Sequence, residues 1–332
     1  MEIIKILFAV AHTGLYIILP LIILATPLQA QSDSLCSNYG ASSALMPLLA
    51  DKEIVVIGEM HFNPNLNSKL QLSIINEGLK WHSKLYLYLE IPPSAVHIID
   101  KYLITGDSSY LSYPEIKSNF NNLLNHLQKQ GYAHLTRIIP LDAEYRNKFG
   151  ITRTFLSDLA SAYPSLKNHH LTGPIVRSTS ARNLRRSLST FGPQIDKKLL
   201  EEQNLDPRDI ELFLIMIQGI NTLGIRNGGR IGIHFNSRTI QFARVISSLQ
   251  YTTDTFHLVV IGRDHVFGDR KKGHLSLKSA LLQVNGPAIF SLNPIYPNNP
   301  WIFYENTFYQ EETDFCKLLS LEIVDFIISN QD

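Results

Sequence analysis

Short apolar runs rich in β-branched and aromatic residues recur along this chain, and longer stretches with a helical apolar period separate them. EIVVIG (53–58), KLYLYLEI (84–91), TRIIPLDAEY (136–145), FHLVVIG (256–262) and GPAIFSL (286–292) read as strands. After the first, Asn63 caps and Pro64 opens a helix in which Leu66, Leu70, Ile74 and Ile75 share a face. Further helices are predicted over 94–104, 114–130, 151–162, 178–190, 207–223 and 236–250. Gly131 stops the second of these, and the last turns Ile240, Ala243 and Val245 or Ile246 inward. Strands alternating with helices bury both faces of a sheet, so the expected fold class is α/β: a mostly parallel sheet flanked by helices. The helices of 145–230 have no strand between them and read as a helical insertion or cap. The tail 313–328 reads as a helix or last strand covering the core.

The 332 residues are 45% hydrophobic, enough for a packed core, and residues 31–332 are read as one domain. Thirty basic against 29 acidic side chains give no global field for nucleic acid or an anionic bilayer, so a small molecule, as substrate, or another protein is the expected partner. A homodimer is allowed for. Lys5 precedes an apolar run from Ile6 to Ala25, and Pro27 and Ala30 fit a cleavage site, so residues 1–30 read as a signal peptide and the mature chain as periplasmic or secreted. The alternative is an uncleaved anchor, the one membrane contact expected. Cys36 and Cys316 would form a bridge in an oxidising compartment or stay as two thiols; both readings stand.

In parallel sheets ligands bind beyond the carboxyl ends of the strands. Here those ends carry Glu59 and His61, then Glu90, then Asp142 and Glu144, then Gly262-Arg-Asp-His265. "VVIGEMH" and "VVIGRDH" repeat one form: a glycine that lets a ligand approach, then a histidine at the mouth. If the chain stays extended past Gly58, Glu59 and His61 project to the same side. Carboxylate and imidazole together can move protons, and His61 with His265 could hold a divalent metal in a metal-dependent variant. Glu90 ends an apolar strand and must therefore be paired or face a cleft. Arg238, placed on the first turn of its helix, is a candidate clamp for an anionic substrate, with Asp142 beside it. The run RSTSARNLRR (177–186) reads as a solvated basic face. No phosphate loop, dinucleotide fingerprint or Gly-x-Ser-x-Gly elbow is present.

"VVIGEMHFNP" followed by "LYLYLEIP" resembles the ChaN-like haem-binding uptake family, within a wider group that includes the erythromycin esterases and the Tiki and TraB proteins. "NSRTIQFARVI" and "LVVIGRDHVFG" are similar to that group's downstream signature, so residues 50–110 and 230–270 are covered. The resemblance implies an active site of Glu59, His61, Glu90 and His265, in which a glutamate-assisted water attacks an ester, as in the esterase branch. The Tiki branch implies divalent metal and peptide hydrolysis, and the ChaN branch implies haem as ligand. Met60, Phe62 and Thr239 depart from the esterase pattern.

Two functional classes follow. One is an exported hydrolase cleaving an ester or amide bond. The other is a protein that binds haem or a related tetrapyrrole without catalysis, with a tyrosine or a histidine as axial ligand and His234, His257 and His274 as the histidine candidates. A scaffold whose pocket has lost its chemistry is the third reading.

Overall fold

The computed structural model describes residues 54–59, 64–113, 116, 120–144, 149–219, 231–248, 252, 254–268, 272–285 and 301–304. All of them belong to one compact unit, Asp51–Glu305. The leader, both cysteines, the predicted strand at 286–292 and the tail lie outside the described residues. Among those described, no helix is long and apolar enough to cross a membrane.

Five strands form one parallel sheet in the order β3-β2-β4-β1-β5. They are β1 (Ile54–Glu59), β2 (Lys84–Leu89), β3 (Thr136–Pro140), β4 (Thr255–Gly262) and β5 (Trp301–Tyr304). β5 follows the position where the fifth apolar run predicted a strand. Every residue of β4 is buried, as a central strand covered on both faces requires. α1 (Pro64–Trp81) joins β1 to β2, and α2 (Pro93–Thr105) and α3 (Asn121–Lys129) join β2 to β3. Pro93 opens α2, and left-handed Gly106 and Gly131 follow α2 and α3, as their sequences foretell.

β4 enters between β1 and β2. The connection leaving β1 therefore runs toward β3, while the one leaving its neighbour β4 runs toward β5. Exits that diverge in this way open a crevice at the carboxyl ends of adjacent strands.

α1 lies against the β4 face that carries Phe256, whose ring stacks on His82. A Cβ on Gly78, inside α1, would stand 2.3 Å from that ring. Glycine within a helix costs about 1 kcal/mol relative to alanine; here close packing explains it. Gly78→Val is expected to lower stability by about 1–3 kcal/mol through overpacking. Combining it with Phe256→Leu should cost less than the sum of the two changes in urea titrations; strict additivity would show that the contact is not the cause.

The stretch between β3 and β4 is helical: α4 (Phe149–Ala162), α5 (Pro164–Asn168), α6 (Gly173–Val176), α7 (Ala181–Phe191), α8 (Lys197–Glu202), α9 (Pro207–Gln218) and α10 (Ile231–Ser248). Three short helices, α5, α6 and α8, fall where no element was predicted; they are too brief to show a period. α9 is fastened to the sheet by Arg208. Its Nε and Nη2 bind Asp100 at 2.7 and 3.2 Å, its Nη2 donates to the Ile138 carbonyl at 2.5 Å, and its Nη1 pairs with Glu211. Glu211 also takes Arg137 of β3 at 2.9 Å. α11 (Arg263–Phe267) and α12 (Leu277–Asn285) follow β4.

Candidate active site at the carboxyl ends of the strands

The strand register alone collects most of the predicted residues. Glu59 pairs with Gly262 across β1 and β4, and Leu89 pairs with Val260 across β2 and β4. Pro140 pairs with Leu89 across β3 and β2. Glu90, Asp142, the Gly262–His265 turn and the Glu59 main chain thus stand beyond four neighbouring strands, at one end of the sheet. For Glu59 the description is of the main chain; His61 lies outside the described residues.

Arg238 of α10 ties two of these strand ends together. Its Nη2 binds Glu90 Oε1 and, at 2.7 Å, Asp142 Oδ2, while its Nε donates to Asp142 Oδ1 at 3.2 Å. The fork geometry of guanidinium suits this double grip. Glu90 Oε2 accepts the Gly262 amide at 2.7 Å, so a single carboxylate links β2, β4 and α10. Glu90 is thereby paired, as its place at the end of an apolar strand demanded. The Arg238 guanidinium also sits over the Phe242 ring, 5.5 Å from its centre.

α10 begins at Ile231, so Arg238 lies two turns inside the helix, not on the first turn as expected. The helix starts early because Phe235, Arg238, Thr239 and Phe242 form an i, i+3, i+4, i+7 stripe whose contacts with the site and with His265 hold its first turns. Ala243, Val245 and Ile246 are buried as foreseen, whereas Ile240 is half-exposed.

His265 is set by this stripe. It lies in α11, one turn past Gly262, and is 4% exposed. Phe235 stacks on its ring at 3.9 Å between centres and 2° between planes, and Phe242 meets it edge-on at 4.9 Å. Thr239 Oγ1 stands 2.7 Å from Nδ1 and donates its proton to the Phe235 carbonyl at 3.1 Å. A hydroxyl has one proton, so with both hydrogen bonds made Nδ1 is the donor in the first contact. The neutral ring then carries its hydrogen on Nδ1, and Nε2 is its basic atom. That Nε2 is 3.9 Å from Glu90 Oε1.

A second layer holds Asp142. Its amide bonds the Ile91 carbonyl at 3.1 Å and its Oδ1 takes the Ala143 amide at 2.9 Å. Two residues on, the buried Glu144 accepts Ser94 N at 2.9 Å, Ser94 Oγ at 2.8 Å and Thr152 Oγ1 at 2.5 Å. Burial pushes this carboxyl above its ordinary range, against the hydrogen bonds from Thr152 and Ser94. Glu144 joins the turn after β3 to the start of α2 and to α4.

The predicted Glu90, Asp142 and Arg238 therefore share one hydrogen-bonded cluster, and the predicted His265 stands beside it with Nε2 3.9 Å from Glu90. Phe235, Thr239, Phe242 and Asn236 were given no role from sequence; the stripe spacing was the signal that could have found the first three. Asn236 fixes the following loop, donating to Gly273 O at 3.0 Å and accepting Leu275 N at 2.7 Å, and this loop lays His274 on the second face of Phe235 at 4.0 Å. His257 is sealed within the sheet with its Nδ1 2.7 Å from the Tyr88 hydroxyl, and reaches no external ligand. His234 is half-buried on the first turn of α10. Among the described residues no group of three or more His, Cys, Asp or Glu is placed to hold a metal ion.

No family model matches the chain, and no curated protein matches it. Two solved structures are similar. One is a mutant erythromycin esterase in its open conformation, 14% identical, with 73% of this chain and 70% of that chain covered and a TM-score of 0.45. The other is a Bacillus cereus protein, 14% identical, with 78% and 72% covered and a TM-score of 0.46. The likeness lies in the course of the chain, and nothing about the site rests on it.

Proposed function

We propose that the cleft beyond β2, β4 and β1 hydrolyses an ester or amide bond of a small-molecule substrate by carboxylate-activated water. The observation that carries this reading is the hydrogen-bonded assignment of His265. Its proton is held on Nδ1 by Thr239 while Nε2 turns toward Glu90, the arrangement a proton-transferring imidazole needs.

In this reading Glu59 takes a proton from water as the water oxygen bonds the substrate carbonyl carbon. His265, entering the step protonated on Nε2, gives that proton to the departing oxygen or nitrogen as the bond to carbon breaks. The products are a carboxylic acid and an alcohol or amine, and the Glu59 proton returns His265 to its starting state through solvent. His61 orients the carbonyl oxygen. Arg238 holds Glu90 and Asp142 in place, so its part is positioning the acids and not clamping the substrate.

A panel of small esters and amides tests the reading. Wild-type protein is expected to turn over at least one member, and Glu59→Gln to lose about 10²-fold or more of that rate with an unchanged thermal midpoint. Absence of wild-type turnover across the panel, or full activity in the variant, would sink it.

A further inference from the structure

The near-balance of charge over the whole chain conceals a sharp local imbalance. Between Asp158 and Asp196 there is no acidic residue, yet the same stretch carries Lys167, Arg177, Arg182, Arg185 and Arg186. The remaining residues consequently hold an excess of acid over base. Such a separation of charge turns one face of a molecule toward an anionic surface and the rest away from it.

The stretch folds as α5, α6 and α7, with α6 packed on both α5 and α7. On α7 Arg182, Arg185 and Arg186 stand at i, i+3 and i+4, while Leu184 and Leu188 are buried on the other side. Lys167, Arg177, Arg182 and Arg186 are exposed and Arg185 is half-exposed. None of the five forms an ion pair with a described residue. The acids at the borders are already engaged: Asp158 with Lys101 and His97, Asp196 capping α8, and Asp209 with the Tyr163 hydroxyl. Nor do the charges serve the helix itself, because Arg182 sits in the first turn of α7, where a cation opposes the helix dipole.

We infer that this face of the helical insertion docks the protein on an anionic phospholipid bilayer. A small anion would need a concave site with buried donors, whereas these side chains lie along the outside of packed helices. Single-stranded nucleic acid would call for aromatic rings interleaved with the cations. The stretch has Tyr163 and Phe191 only, one at each end, and the Tyr163 hydroxyl is committed to Asp209. A charged lipid surface asks only for several unpaired cations on one side, as Arg182, Arg185 and Arg186 stand on α7. The inference is independent of the hydrolase reading.

The test is co-sedimentation of the full chain with vesicles of phosphatidylcholine alone and of phosphatidylcholine with about 30% phosphatidylglycerol, a fraction chosen to give a strongly negative surface. Tighter binding to the anionic vesicles is expected, weakening as salt rises. Arg182→Gln, Arg185→Gln and Arg186→Gln together should reduce that binding about a hundredfold, at roughly fivefold per arginine. Removing the same charge elsewhere, with Lys80→Gln, Lys197→Gln and Lys198→Gln, should leave it nearly intact, since each of these lysines is paired with a glutamate. Equal binding to neutral vesicles, equal losses in the two triple variants, or tighter binding to a short RNA than to anionic vesicles would each overturn the inference.

Discussion

Arg238→Ala is expected to lower the stability of the fold by about 3–5 kcal/mol, the cost of removing one partner from a buried ion cluster. The side chains of Arg238, Glu90 and Asp142 are 18, 9 and 3% exposed, so water does little to screen what is left behind. Without the guanidinium, two carboxylates face one another beside the His265 ring. Glu90 would keep the Gly262 amide and Asp142 the Ala143 amide, and neither bond neutralises a charge. Urea titration at neutral pH measures the loss. Adding Glu90→Gln and Asp142→Asn to Arg238→Ala should recover much of it, because the uncompensated charge is then gone. A loss below about 1 kcal/mol would mean that the cluster behaves as a solvated surface pair.

The second large effect is a pH dependence rooted far from the cleft. His257 lies inside β4, fully buried, and burial, together with the charge on His82, depresses its pKa from the ordinary 6.5 to about 3. Below pH 6.5 the unfolded chain takes up a proton at this position and the folded chain does not. The stability it contributes is therefore complete above pH 6.5 and is lost as pH falls toward about 3, at about 1.4 kcal/mol per pH unit and on the order of 5 kcal/mol in all. Removing His257 alone would take a hydrogen-bond partner from the Tyr88 hydroxyl, so the informative variant is His257→Leu with Tyr88→Phe. Urea midpoints collected from pH 7 to pH 4 should fall steadily for the wild type and much less steeply for the double variant. Parallel slopes would place the acid sensitivity in other groups.

The parallel α/β architecture was legible because each of β1 to β4 announces itself as a β-branched or aromatic run, and because Gly131 and the Pro92-Pro93 pair mark where elements stop and start; β5 (Trp301–Tyr304) was not read as a strand. The order of the strands was not. Nothing local in FHLVVIG says that it enters between β1 and β2; that depends on how long connections pack, which no short window contains. At the site, Glu90 was readable through a simple conflict, an acid at the end of an apolar strand. Its partner was readable only as a residue type: Arg238 invited a role in gripping an external anion, and the structure has it gripping the protein's own carboxylates. Thr239 carried no chemical signal, since its hydroxyl matters through a contact made 26 residues away with His265. In the second copy of the glycine-histidine repeat the chain turns into α11 directly after Gly262 and brings His265 round by helical geometry.

The fastening of α9 also decides what the sheet can join. β3 is an edge, and an edge strand offers its free carbonyls and amides to any other extended chain. Here Arg208 occupies the Ile138 carbonyl, and Pro140 has no amide hydrogen to offer. An incoming strand would have to expel a guanidinium already satisfied by Asp100 and Glu211, and would still find a gap at the proline. On this side growth by strand addition is hindered: a second copy or an unfolded neighbour would meet one carbonyl already occupied and one amide hydrogen missing, a local guard against amyloid-like stacking.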